Sequence, residues 1–267
     1  MAPPPHLPRS SGRVRLTERD HALLAFMAEH RLVLERQLER LVGAGEGRLR
    51  GRLLALAADG LVRPGRVFGE PHYQIRPTGL SAIGSNLSAP RFSVACYRHD
   101  VGVAWLWLAA RDGTFGPLRE VIGERRLRSH DGVRDRPSEP YGVRLGGYDR
   151  YGNPRLHYPD VLLVDPRARR VALELELTPK GRERRELILG GYGADSRIEG
   201  VVYLVEDTRE GRSIRRLVGE TVRQMDLADR VRFQFIEPIR VMADEPNRGP
   251  HRVSGARRPA AATEAGL

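Results

Sequence analysis

Asp160, Glu174, Glu176 and Lys180 are the residues of this chain whose types and spacing best suit chemistry. Lys180 is the only lysine, the other 44 of 45 basic residues being arginine. Arginine stays charged and clamps oxyanions through a planar fork, whereas lysine is a compact charge whose pKa its surroundings can move. Side chains of a strand alternate, so in "ALELELTPK" Ala172, Glu174, Glu176 and Thr178 share one side, while Val171, Leu173, Leu175 and Leu177 share the other. Two glutamates on one strand face repel unless they meet water, an arginine or a cation. Asp160 joins them if the preceding strand pairs with an even residue sum, such as 160 opposite 176 and 162 opposite 174; an odd sum turns it away. Three converging carboxylates make a hard-oxygen site for Mg2+ or Mn2+, ions that clamp a scissile phosphate and lower the pKa of an attacking water. The spacing therefore predicts Asp160, Glu174 and Glu176 as metal ligands and Glu176 and Lys180 as catalytic residues, with Lys180 orienting water or neutralising charge on phosphorus. The competing reading is a solvated strand face where both glutamates pair with neighbouring arginines and the lysine is chance. His157, three residues before Asp160, could sit at the same site, although a lone histidine beside a strand is more often structural; Tyr192 reads as core packing.

Elements that would position these residues follow from pattern. "DVLLVD" and "RRVALELEL" predict a hairpin around Asp165-Pro166, then a helix from Arg182 to Leu189 that Gly190-Gly191 interrupts. "GVVYLV" predicts a buried strand, 213–227 a helix and "VRFQFI" a last strand. Upstream, Val101, Trp105 and Leu108 form the inward stripe of a helix over Tyr97–Arg111, and 112–158 read as short strands and loops. The composition turns polar at "SNLSAPRFS", placing a boundary near residue 90, so residues 91–243 are expected to form an α/β domain around a central mixed sheet.

Residues 16–90 predict a different unit. Thr17 is an N-cap with Asp20 three residues on, and Leu23, Phe26, Met27 and His30 follow as one helical stripe. Leu34–Val42 and Arg48–Asp59 predict two more helices, the last closed by Gly60; "LVRPGRVF" and "PHYQIRP" then predict a hairpin through Gly69. Three helices and a basic hairpin is the order of a winged helix-turn-helix. Its third helix would offer Arg48, Arg50 and Arg52 to double-stranded DNA, with Arg63 and Arg66 on the wing holding the backbone. The alternative is a protein-contact module with solvated arginines.

Bulk numbers fit a polyanionic partner. The net charge is +11, and phosphate neutralisation releases counterions. Cys96 is the only cysteine, which excludes an internal disulfide framework and fits a reducing, cytoplasmic setting. No apolar run approaches the ~18 residues a membrane span requires. Residues 1–15 read as a disordered basic leader and 244–267 as a disordered tail.

The pattern Pro159-Asp160, thirteen residues, Glu174-Leu175-Glu176 resembles the PD-(D/E)XK nuclease fold. That family places lysine two residues after the acid, where this chain has Glu176; Lys180 would be a displaced substitute. With "LTERDHALLAFMAEHRLV", "YQIRPTGLSAIG" and "HYPDVLLVD…ALELELTPK", residues 16–240 are similar to the replication-relaxation family of plasmid and mobile-element proteins. The resemblance implies an α+β chain: a DNA-binding winged helix followed by a restriction-endonuclease-like core with Asp160, Glu174 and Glu176 as candidate ligands; the leading expectation is that this core cleaves DNA with divalent metal. The competing expectation is a non-catalytic regulator of replication or transcription whose second domain is a scaffold for homodimerisation or partner binding.

Overall fold

Thr17 sets the first helix. Its hydroxyl accepts from Asp20 N at 3.3 Å while Asp20 Oδ2 accepts from Thr17 N at 2.8 Å, a complete capping box that starts α1 (Glu18–Glu29). The computed structural model describes residues 14–132 and 140–239, so the expected leader, apart from its last two residues, and the expected tail lie outside the described residues. The chain divides into two compact units, Met1–Leu108 with Ile122–Gly142, and Ala109–Val121 with Val143–Leu267. The expected boundary near residue 90 thus falls inside the first unit. Among the described residues, eight α-helices accompany three sheets, and no helix is long and apolar enough to cross a membrane.

In the first unit α1 is followed by β1 (Val33–Leu34), α2 (Glu35–Val42) and α3 (Arg50–Ala58). Gly43 at φ 65 closes α2, and α3 is two residues shorter at its start than the periodicity suggests. Strands β2 (Val62–Val67) and β3 (Glu70–Ile75) form the predicted hairpin, and β1 joins it in the order β1-β3-β2. The hairpin loop has two residues, Phe68 at φ 48 and Gly69 at φ 79, the double left-handed geometry that matches strand twist. After α4 (Pro77–Ala82), α5 (Tyr97–Arg111) adds Ala104 and Leu108 to a core built on Leu23, Met27, Leu38 and Leu53. This apolar seam holds most of α5 in the first unit rather than in the second. α6 (Glu124–Asp131) also belongs there, a helix where the sequence reads as strands and loops.

The second unit carries the mixed sheet. β4 (Glu120–Gly123) is one edge; β5 (Val143–Tyr148) and β6 (Pro154–His157) form a separate two-stranded ribbon. β7 (Val161–Val164), β8 (Arg170–Leu175), β9 (Ile198–Glu206) and β10 (Val231–Ile236) complete the order β10-β9-β8-β7-β4. β7 and β8 are antiparallel; β8, β9 and β10 run parallel, linked through α7 (Arg182–Ala194) and α8 (Arg209–Gln224). Parallel strands need such crossovers, and two successive right-handed ones stepping the same way across a sheet place both helices on one face, where α7 and α8 contact each other. β8 lies inside the sheet, and Ala172 to Glu176 are all buried, not alternately. Glycines 190 and 191 do not interrupt α7. They let other elements approach: a Cβ on Gly191 would stand 2.8 Å from the Arg144 carbonyl of β5.

Candidate functional site

The acidic site begins with strand register. Val161 faces Leu173, Leu162 faces Ala172 and Val164 faces Arg170, so the residue sum is even and Asp160, one step before β7, comes opposite Glu174. Parity meets the condition set by the sequence, but the offset differs by two residues: Asp160 is paired with Glu174 rather than Glu176. Leu175 N donates to Asp160 Oδ2 at 2.8 Å, fixing that carboxyl at the strand end. Glu176 lies just beyond β8, where its backbone N still donates to Leu204 O of β9 at 3.0 Å.

Each glutamate already has a protein partner. His157 Nε2 lies 2.8 Å from Glu174 Oε1, and the Tyr192 hydroxyl donates to the same oxygen. Burial, at 3% exposure, pushes the Glu174 carboxyl up, but His157, Lys180 and the Tyr192 hydroxyl outweigh it and hold the group below the usual carboxylate range. An ionised Glu174 assigns the Nε2 proton to His157. The tyrosine, itself buried, is pushed well above its ordinary range by burial and then by the Glu174 charge, so it stays a donor. Tyr192 does pack in the core as the sequence suggests, but its polar end belongs to the site.

Lys180 contacts the Glu176 carboxylate directly. Burial would lower the ammonium pKa, yet Glu176, Glu174 and Asp160 together raise it. Glu176 moves the other way from Glu174: burial raises it most, Lys180 offsets only part of that rise, and Glu174 and Asp160 add to it. Arg185 belongs to the site without any sequence signal to set it apart from the other arginines. Its Nη1 donates to Lys180 O at 3.0 Å and its Nε to Thr221 Oγ1 at 2.8 Å, tying the Lys180 loop to α8. Glu176, Lys180, Arg185 and Tyr203 line a recess of about 10 Å³, room for one water.

The donor chemistry is that of a hard-cation site, and as folded each carboxylate has a protein partner. Glu174 Oε1 is taken by two protein donors, Glu176 holds an ammonium, and Asp160 accepts a backbone N–H. Among the described residues no three ligating side chains are grouped so that they could hold a metal ion. As folded, the charge that balances Asp160, Glu174 and Glu176 is the chain's own, the Lys180 ammonium.

In the first unit Arg48, Arg50, Arg63 and Arg66 are exposed. Arg63 donates to Gln74, and Arg66 Nη1 donates to Gly69 O at 2.8 Å, which braces the hairpin. Arg52 is different. Its Nε and Nη2 meet Asp20 at 2.8 and 2.5 Å, and Nη2 reaches Arg15 O at 2.9 Å. The guanidinium expected to face DNA is thus committed to locking α3 onto the capped start of α1.

Searches against protein-family models, curated proteins and solved structures found no match for this chain.

Proposed function

We propose that the chain is a DNA-binding protein whose first unit is a winged helix-turn-helix and whose second unit is a restriction-endonuclease-like scaffold that does not cleave in this arrangement. The observation carrying this reading is Lys180 seated on Glu176, with the other acids of the cluster drawing on the same charge. Helix, helix, helix and hairpin in the first unit, with Arg48, Arg50, Arg63 and Arg66 exposed and a net charge of +11, support duplex contact. The sequence resemblance to the replication-relaxation family supports work on plasmid or mobile-element DNA, in replication or mobilisation, in a cytoplasmic setting. In this reading the second unit serves homodimerisation or partner binding.

A second reading, metal-dependent cleavage, is favoured by the even register that puts Asp160 beside Glu174. It requires Lys180 to leave Glu176 when a phosphate arrives. One experiment separates the two: supercoiled plasmid incubated with the protein and Mg2+ or Mn2+, alongside gel shift on duplex. Retardation without nicking is the expected result. Nicking abolished by Glu174→Ala replaces it with the second reading. Arg48→Ala with Arg50→Ala should weaken duplex binding and reduce the salt slope by about 1 for each phosphate no longer neutralised; an unchanged affinity and slope overturns DNA docking by α3.

A further inference from the structure

The β5–β6 ribbon carries the most exposed large aromatic side chains among the described residues: Tyr148 and Tyr151 are 72% and 71% accessible. Tyr73, Tyr97, Tyr192 and Tyr203 are buried, so the contrast within one residue type is sharp. A tyrosine ring left in water forgoes hydrophobic burial, and two on one hairpin tip call for an occupant. The tip does not gain its shape from those rings. Asp149 Oδ1 accepts from Tyr151 N and Asn153 N, both at 2.8 Å, and Asp149 N donates to Asn153 O at 2.7 Å. Gly146, Gly147 and Gly152 supply the left-handed residues, at φ 76, 67 and 76, that let β5 bulge and the tip turn. A turn fixed by its own backbone presents the rings with little further ordering required on binding.

Charge indicates the occupant. Residues 143–157, "VRLGGYDRYGNPRLH", hold Arg144, Arg150 and Arg155 against one acid, and that acid is Asp149, engaged in the turn. All three arginines are exposed. Arg150 Cζ stands 4.7 Å from the Tyr151 ring centroid, so one flat surface pairs a guanidinium with a phenol. Phosphates complement the arginines, and base faces complement the rings. In a duplex those faces are already stacked on one another; in a single strand they are free.

We propose that the tip of the β5–β6 ribbon binds single-stranded nucleic acid, stacking bases on Tyr148 and Tyr151 while Arg144, Arg150 and Arg155 follow the phosphates. This goes beyond duplex docking by the first unit and does not depend on the acid cluster.

The test uses the full chain and fluorescence anisotropy with a labelled oligothymidylate of about 20 nucleotides, a length above one aromatic-lined site. Both tyrosines are solvent-exposed, so Tyr148→Ala with Tyr151→Ala should leave the urea midpoint unchanged while weakening the single strand at least about thirtyfold, the lower range for removing two stacked rings. Tyr148→Phe with Tyr151→Phe should keep nearly full affinity, because stacking needs the ring and not the hydroxyl. The alanine pair should change affinity for a duplex of equal length less than about threefold, well under the effect of one stacked ring. Equal losses on single strand and duplex, a loss as large in the phenylalanine pair, or capture of poly-glutamate as tight as the oligonucleotide each overturns the proposal. Arg48→Ala with Arg50→Ala tests the first unit separately: loss of duplex binding there with single-strand binding intact supports two distinct surfaces.

Discussion

Replacing Lys180 with methionine removes the ammonium and keeps most of the aliphatic stem, so the charge at the acid cluster can be tested without emptying the site. Glu176 has a side chain only 5% exposed, and its partner lysine is 32% exposed. Breaking a fully buried pair costs about 3–5 kcal/mol and an exposed one about 0–1. With one partner sunk and the other a third in water, the deficit should be about 2 kcal/mol near pH 8. Its pH dependence has a definite sign. Glu176 is already raised above its ordinary 4.5 by burial, with Lys180 opposing, and removing the ammonium raises it further. A carboxyl raised in the folded state is tolerated below its unfolded pKa and costs stability as pH climbs through the folded value. Urea unfolding should therefore show a small deficit near pH 4.5 that widens to its full size near pH 8. Adding Glu176→Gln to Lys180→Met should recover most of it, since no uncompensated charge remains. A deficit below about 0.5 kcal/mol at pH 8, or one equal at both pH values, refutes Lys180 as the internal counter-ion.

Asp20 gives a test at the acid end of the scale. Burial raises its carboxyl, but Arg52 and Thr17 together lower it from 3.8 to about 2; the stabilisation is present above about pH 4 and disappears as pH falls through 2. Because the Arg52 side chain is 34% exposed, Arg52→Ala should cost about 1 kcal/mol at neutral pH and move acid unfolding to higher pH, and an unchanged acid midpoint contradicts the clamp. Gly191→Ala should lower stability by about 1–3 kcal/mol, its methyl meeting the Arg144 carbonyl at 2.8 Å, despite better helix propensity; a gain in urea midpoint would show that β5 does not press on α7.

Thr17, the Leu23 stripe and the Asp165-Pro166 hairpin are readable in the sequence because caps, 3.6-residue periodicity and turn chemistry are local. α6 is not: "ERRLRSHD" offers Leu127 alone as an apolar residue, too little for a stripe. Gly190 and Gly191 mislead for a related reason, as helix propensity counts their cost without seeing β5 against the backbone. The parity that brings Asp160 to Glu174 depends on the turn from Asp165 to Arg169, where Ala168 takes φ 63, a conformation alanine does not advertise. The Tyr192 hydroxyl on Glu174 has no signal at all, since a buried tyrosine on an amphipathic helix looks like any core aromatic.

The path of the polypeptide itself has a practical outcome. It passes from one unit to the other after Leu108, returns after Val121 and leaves again after Gly142. No single cut can therefore clone the two bodies intact: one after 108 strips α6 from the amino-terminal body, and one after 142 strips β4 from the carboxy-terminal sheet. On the ribosome, the first body has all of its parts only once Gly142 has emerged, by which time a stretch of its neighbour has already been made.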